Sequence, residues 1–279
     1  MDASRRNRLQ PLLQVRNLSV VFKKPHLTFL ALKKVSFELQ RGETLALVGE
    51  SGSGKTITAL SLLGLLPKTA EQINGEICFA GKQLDCRKKK SFDWVRGSQI
   101  ATIFQEPAAA LNPVFRVGNQ ISDVIRTHQN VSRRDAKERV IKIFEQVSLP
   151  YPNSIYRSYP HQLSGGMAQR VMIAMALSCT PKLIIADEPT TALDVTTQLQ
   201  ILKLISNLQK EHGFALLLIS HDINVVAQLA DSIAVMRAGE IIERGHTKEL
   251  MINPRDSYTR ELTQPNLIMP NPVSRIITA

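Results

Sequence analysis

The stretch Gly49-Glu50-Ser51-Gly52-Ser53-Gly54-Lys55-Thr56 constrains this chain more than any other. It follows an apolar run, Thr44-Leu45-Ala46-Leu47-Val48, that reads as a strand. It opens a run from Ile57 to Leu66 in which Leu60, Leu63 and Leu66 repeat near helical spacing. Strand, glycine loop and helix together are the setting that makes a phosphate cradle of the pattern G-x-x-x-x-G-K-[ST]. Gly49, Gly52 and Gly54 allow a tight bend in which successive N–H groups point inward. Glu50, Ser51 and Ser53 complete the loop, and the helix start adds its dipole and free N–H groups. Lys55 is placed to reach the β- and γ-phosphates of a nucleotide, and the Thr56 hydroxyl to ligate Mg²⁺.

At 279 residues the chain is one large domain or two small ones, with ample length for a core. No run approaches the ~18 consecutive apolar residues of a membrane span. Met1-Asp2-Ala3-Ser4-Arg5-Arg6 is basic but has no apolar stretch behind it, so no signal peptide is expected. Cys78, Cys86 and Cys179 are scattered and form no C-x-x-C, which fits reduced thiols and argues against a cysteine metal site. The net charge of +11 is spread along the chain except at Arg87-Lys88-Lys89-Lys90. That run reads as a solvated loop, with contact to anionic lipid or to nucleic acid as the alternatives.

Leu12 to Phe22, Val35 to Leu39, Gly75 to Gly81 and Gln99 to Phe104 read as strands. From Val114 to Leu177 the strand signal is weak, and Val117–His128, Arg133–Val147 and Ser164–Leu177 read as helices. Ser132 is the expected cap of the second, and the proline-rich segment from Leu149 to Pro160 is expected as loop. Strand and helix then alternate: Leu183–Ala186, Val195–His212, Ala215–Ile219, Ile223–Leu229, and short strands at Ile233–Met236 and Glu240–Ile242. Such alternation implies a largely parallel sheet, interrupted here by a helical insertion. The expected division is an α/β core from 1–104 plus 179–246, a helical unit over 105–178, and an extension over 247–279.

A second chemical element is the apolar run Leu183-Ile184-Ile185-Ala186 ending in Asp187-Glu188. A strand that ends in two carboxylates suits a phosphate site: Asp187 to hold Mg²⁺ through water, Glu188 to polarise an attacking water.

With these motifs the chain resembles the ATP-binding subunits of ABC transporters over roughly residues 12 to 260. Leu163-Ser164-Gly165-Gly166-Met167-Ala168-Gln169-Arg170 is similar to their signature sequence. Gln105 resembles the glutamine loop, Thr191-Ala192-Leu193-Asp194 the D-loop, and His221 the switch histidine. The resemblance implies a P-loop NTPase core with a mostly parallel sheet, a small antiparallel β subdomain and an inserted helical subdomain. It implies ATP and Mg²⁺ as cofactors, with Gln105 beside Thr56 and Asp187 at the metal. It assigns Ser164, Gly165, Gly166 and Gln169 to the ATP of a facing subunit, and His221 to the attacking water and γ-phosphate. Phe22 is the residue it places on adenine; core packing is the alternative for that ring, and Phe29 is the competing aromatic.

A narrower resemblance, to the oligopeptide, dipeptide and nickel importers, rests on three segments. They are Phe104-Gln105-Glu106-Pro107 with Ala110-Leu111-Asn112-Pro113, Tyr159-Pro160-His161-Gln162, and Thr190 to Thr196. Asn253-Pro254 and Ser257-Tyr258-Thr259 resemble the start of that group's C-terminal extension, but no cysteine follows Cys179, so no iron–sulfur cluster is expected. The implied partners are two membrane permeases, a second similar ATPase subunit and, indirectly, a solute-binding protein. The implied place is the cytoplasmic face of the inner membrane, as a peripheral subunit. The alternative is a soluble ABC-type ATPase acting on nucleic acid or the ribosome. Against it stand a single cassette, no coiled-coil insertion and no zinc-ligand spacing, so no nucleic-acid partner is expected.

Overall fold

A computed structural model describes residues 10–24, 27–85, 88–191 and 193–264. The chain opens with two long strands, β1 (Leu13–Lys24) and β2 (Leu27–Leu39), paired antiparallel. β3 (Thr44–Val48) runs into the glycine loop and α1 (Lys55–Leu62). β4 (Ala70–Phe79) and β5 (Lys82–Leu84) return to β1, and β6 (Ile100–Ile103) precedes the helical insertion. The insertion holds α2 (Pro107–Ala110), α3 (Val117–His128), α4 (Arg133–Gln146), α5 (Pro152–Arg157) and α6 (Gly165–Leu177). Then follow β7 (Leu183–Asp187), α7 (Val195–His212), β8 (Ala215–Ser220), α8 (Ile223–Val226), β9 (Ser232–Arg237) and β10 (Glu240–His246). Two short helices, α9 (Thr247–Ile252) and α10 (Ser257–Thr263), come last.

The strands form two sheets. A four-stranded antiparallel sheet has the order β2-β1-β4-β5, and a six-stranded sheet the order β10-β9-β3-β8-β7-β6. In the larger sheet all neighbours are parallel except β10, which pairs antiparallel to β9. Its central strands are apolar on both faces because both faces are covered. Leu45, Leu47, Leu217, Ile219, Leu183 and Ile185 join one core with α1 and the antiparallel sheet. Ala46, Val48, Leu216, Leu218, Ile184 and Ala186 point the other way, into a core shared with α6, α7 and the insertion. The period-two alternation of side chains along a strand produces both cores from the same residues. The expected architecture, a P-loop NTPase fold with an antiparallel sheet and a helical insertion, is the one observed.

Several boundaries differ from the sequence reading. α1 stops at Leu62 instead of Leu66, because Gly64 takes a left-handed backbone (φ +61°) and Pro67 follows. β2 begins well before Val35, and β4 begins at Ala70 with polar residues that alternation alone does not flag. The proline-rich segment holds α5, with Pro152 in its first turn where its missing N–H costs nothing. α8 ends at Val226, three residues short of the expected Leu229. The cap read from sequence is in place, Ser132 accepting the Asp135 N–H at 3.1 Å, and Ser164 caps α6 in the same way, accepting the Met167 N–H at 3.3 Å. Of the basic run, Lys88 and Lys90 are exposed, whereas Cys86 and Arg87 lie outside the described residues. Among the described residues no helix is long and apolar enough to cross a membrane.

Candidate active site

Strand order decides where the chemistry meets. β3, β8, β7 and β6 are neighbours and parallel, so their carboxyl ends lie side by side on one edge. Those ends lead into the glycine loop, His221, Asp187-Glu188 and Gln105 respectively. This is the edge at which open parallel α/β sheets bind ligands.

The loop is close-packed on its outer side. A Cβ on Gly49 would sit 2.1 Å from the Met236 carbonyl oxygen, so no larger residue fits there. Gly54 caps α1 with φ +109°, a conformation that only glycine adopts without strain. Lys55 is 5% exposed, and its ammonium donates to the carbonyls of Gly49 (2.7 Å) and Glu50 (2.9 Å). Burial lowers its pKa, and the nearby carboxylates of Glu188, Asp187 and Glu50 counter that shift. The buried Ser53 hydroxyl has no hydrogen-bond partner. A buried cation and an orphaned hydroxyl on one inward-bent loop fit a bound phosphate group, which would satisfy both.

Opposite the loop stand the two carboxylates. The Thr56 hydroxyl donates to Asp187 Oδ1 at 3.4 Å, a long contact. Burial pushes the Asp187 carboxyl above its ordinary pKa; the Thr56 bond pulls it down, Glu188 pushes it up and Lys55 pulls it down. Glu188 adopts a left-handed backbone (φ +47°), and its N–H is tied to the Ile219 carbonyl at 2.9 Å. Strain of this kind persists where surroundings over-determine the residue. Three groups converge on its carboxylate: Gln105 Nε2 (3.1 Å), the Thr191 hydroxyl (2.9 Å) and His221 Nδ1 (3.3 Å). Thr191 was not singled out from sequence for this role. Its signal was its place one turn after Glu188 and Pro189.

Lys55, Thr56, Gln105, Glu188 and His221 line one cleft of 1050 Å³, with Phe22 and Phe29 in its wall. The two aromatics pair across β1 and β2 and stack on each other, centroids 5.2 Å apart and planes 5° from parallel. Phe29 is the more open of the two, 43% exposed. Ser164, Gly165 and Gly166 do not line this cleft. Ser164 and Gly165 are exposed, and a Cβ on Gly166 would approach Thr197 Cγ2 to 3.1 Å, so the start of α6 packs beside the start of α7. Asp194 caps α7, accepting the Thr197 N–H at 2.9 Å. Gln169 points the other way: it is 1% exposed, and its buried Nε2 has no hydrogen-bond partner.

A glycine loop with a buried lysine, facing a strand that ends in Asp-Glu on a parallel sheet, defines a P-loop nucleotide-binding protein. Residues 32–191 match the family described as ABC transporter. The chain is 47% identical over 253 residues to the oligopeptide transport ATP-binding protein OppD of Bacillus subtilis, covering 90% of this chain and 71% of that protein. It is 47% identical over 254 residues to the peptidoglycan transport ATP-binding protein YejF of Agrobacterium fabrum, covering 91% of this chain and 46% of that protein. Against the glutathione import ATP-binding protein GsiA of Escherichia coli (strain K12) it is 49% identical over 260 residues, covering 90% of this chain and 41% of that protein. The chain thus spans less than half the length of the last two relatives. Among solved structures it superposes on cbiO1 from Clostridium perfringens, part of the ABC transporter complex cbiONQ, with TM-score 0.75 at 29% identity, covering 87% of this chain and 91% of that one. It also superposes on a dimeric, post-hydrolysis ATP-binding cassette bound to ADP and Pi, with TM-score 0.74 at 27% identity, covering 84% and 98%. The chain belongs to the ABC transporter family and is an ATPase domain of that family's type.

Proposed function

We propose that this chain is the ATP-hydrolysing subunit of an importer for peptides or a related small solute. The observation that carries the reading is the Glu188 carboxylate, held by Gln105, Thr191 and His221 in the cleft that Lys55 and Thr56 line. In this reading the loop amides and Lys55 bind the β- and γ-phosphates. Glu188 accepts a proton from the attacking water, and His221 orients that water. Mg²⁺, held by Thr56 and Gln105 and through water by Asp187, would offset charge on the β- and γ-phosphate oxygens. The stacked Phe22–Phe29 wall offers an apolar face to the adenine.

Ser164, at the exposed start of α6, serves the ATP of a facing subunit, since it lies outside this chain's own cleft. The helical unit over 105–178 moves against the core of 1–104 plus 179–246 when the pair closes, and so drives two permeases. The partner ATPase, the permeases and a solute-binding protein assemble at the cytoplasmic face of the inner membrane, without nucleic acid. The solute class rests on the relatives, whose names are for oligopeptide, peptidoglycan and glutathione transport.

The test is reconstitution with two cognate permeases and a solute-binding protein in proteoliposomes. ATP-dependent uptake of labelled di- to pentapeptides, lost in Glu188→Gln, is expected. ATP hydrolysis without uptake of any peptide would sink the solute class, and no hydrolysis at all would sink the ATPase role.

A further inference from the structure

We infer that the segment after β10 is a strap on the nucleotide cleft, and that Tyr258 is a positioning residue for the glycine loop. The inference rests on the ATPase reading above. The phenol oxygen of Tyr258 accepts the backbone N–H of Glu50 at 2.9 Å, joining residues 208 positions apart. Glu50 begins the turn of the loop, and inward-facing N–H groups are what such a loop presents to phosphate. The Glu50 N–H is instead tied outward, to a side chain of α10. The Tyr258 ring is 2% exposed, and the Arg237 guanidinium lies over it at 4.7 Å. Arg237 ends β9, one residue beyond Met236, whose carbonyl closes on Gly49. Two separate contacts from one small region therefore fix the first two residues of the loop.

The strap is itself anchored. The Glu243 carboxylate on β10 accepts the N–H groups of Arg255 (2.8 Å) and Asp256 (3.1 Å), and Asp256 caps α10 through the Tyr258 N–H at 2.8 Å. α10 packs on α8, the helix that follows His221, and Leu262 reaches the cleft itself. One short helix thus touches the cradle, the segment behind His221 and the cleft wall. By holding the first turn of the loop, the strap raises ATP affinity, and ATP in turn holds the strap down by the same factor.

Tyr258→Phe removes the acceptor and keeps the ring and its packing. In the full chain, ATP binding followed by titration should weaken roughly three- to tenfold, the worth of one hydrogen bond, with kcat within about twofold. Hydrogen exchange should quicken at the Glu50 amide in this variant. In the wild type, ATP should slow exchange across Ser257–Thr263. Unchanged ATP affinity in Tyr258→Phe, or exchange in α10 indifferent to ATP, would overturn the strap while leaving the ATPase reading intact. Failure of the wild type to bind ATP would overturn both.

Discussion

Lys55 carries a charge into a nearly closed loop, where its ammonium donates to two carbonyls. In the proposed ATPase role, a phosphate would replace the lost water with a charged partner. Lys55→Ala should therefore weaken ATP binding roughly 10- to 100-fold, the range of a charge-assisted hydrogen bond, and bring phosphate release to background. A nucleotide titration with a phosphate-release assay checks this; unchanged turnover would remove the loop's assigned role. Burial disfavours the charged form of Asp187 as well. Its carboxyl pKa is raised by burial, so the native state holds its proton more tightly than the unfolded chain does. Stability is then lost as pH rises from the unfolded value through the raised native one. Asp187→Asn should melt higher than the wild type at pH 7 without nucleotide. The gain should fade as the pH falls through the native carboxyl pKa, while Mg²⁺-dependent hydrolysis is lost. Thermal melts at a series of pH values test the sign, and a lower melting point for the Asn variant at pH 7 would refute it.

Helix starts are the best-marked elements of this chain. Ser132, Ser164 and Asp194 each place a side-chain oxygen where an orphan N–H needs it. Ser132 lies in the insertion, outside the nucleotide cleft, so its cap is a matter of stability alone. Ser132→Ala should cost about 1 kcal/mol, read as a shift in denaturant midpoint, with ATP hydrolysis unchanged. A fall in hydrolysis without a shift in midpoint would mean that α4 does more than pack. Helix ends were harder to place. α1 and α8 both stop earlier than their apolar spacing indicates, because Leu63, Leu66 and Leu229 still pack after the backbone has left the helix. Spacing records burial, and burial does not require helical hydrogen bonds.

At the scale of the whole molecule, Ser164 and the cleft occupy separate regions of one chain. The shared-site proposal makes a pair of opposite expectations. Ser164→Arg should bind ATP normally in the isolated subunit but fail to form the closed pair. Glu188→Gln should bind, close and stay closed, because glutamine cannot take the proton from water. Sedimentation with ATP and Mg²⁺, on the chain with its cognate partner, separates the two. If Ser164→Arg loses as much affinity in the lone subunit as Lys55→Ala, the signature serves its own cleft and the proposal fails.

Sequence alone determined the features that obey local rules. The glycine loop, the capped starts of α4, α6 and α7, and the apolar runs of β3, β7 and β8 are each specified by a few consecutive residues. Their physics is short-ranged: backbone freedom at glycine, an oxygen at a helix start, burial on both faces of a strand. The tertiary structure alone decided what surrounds Glu188, whose Gln105 donor lies 83 residues away. It decided that Phe22 and Phe29 share one wall, that Gln169 faces inward, and that Tyr258 reaches Glu50. These contacts depend on the order β3-β8-β7-β6 and on how the two sheets cover each other. No local pattern encodes which strands become neighbours, because that choice is made by packing both cores at once.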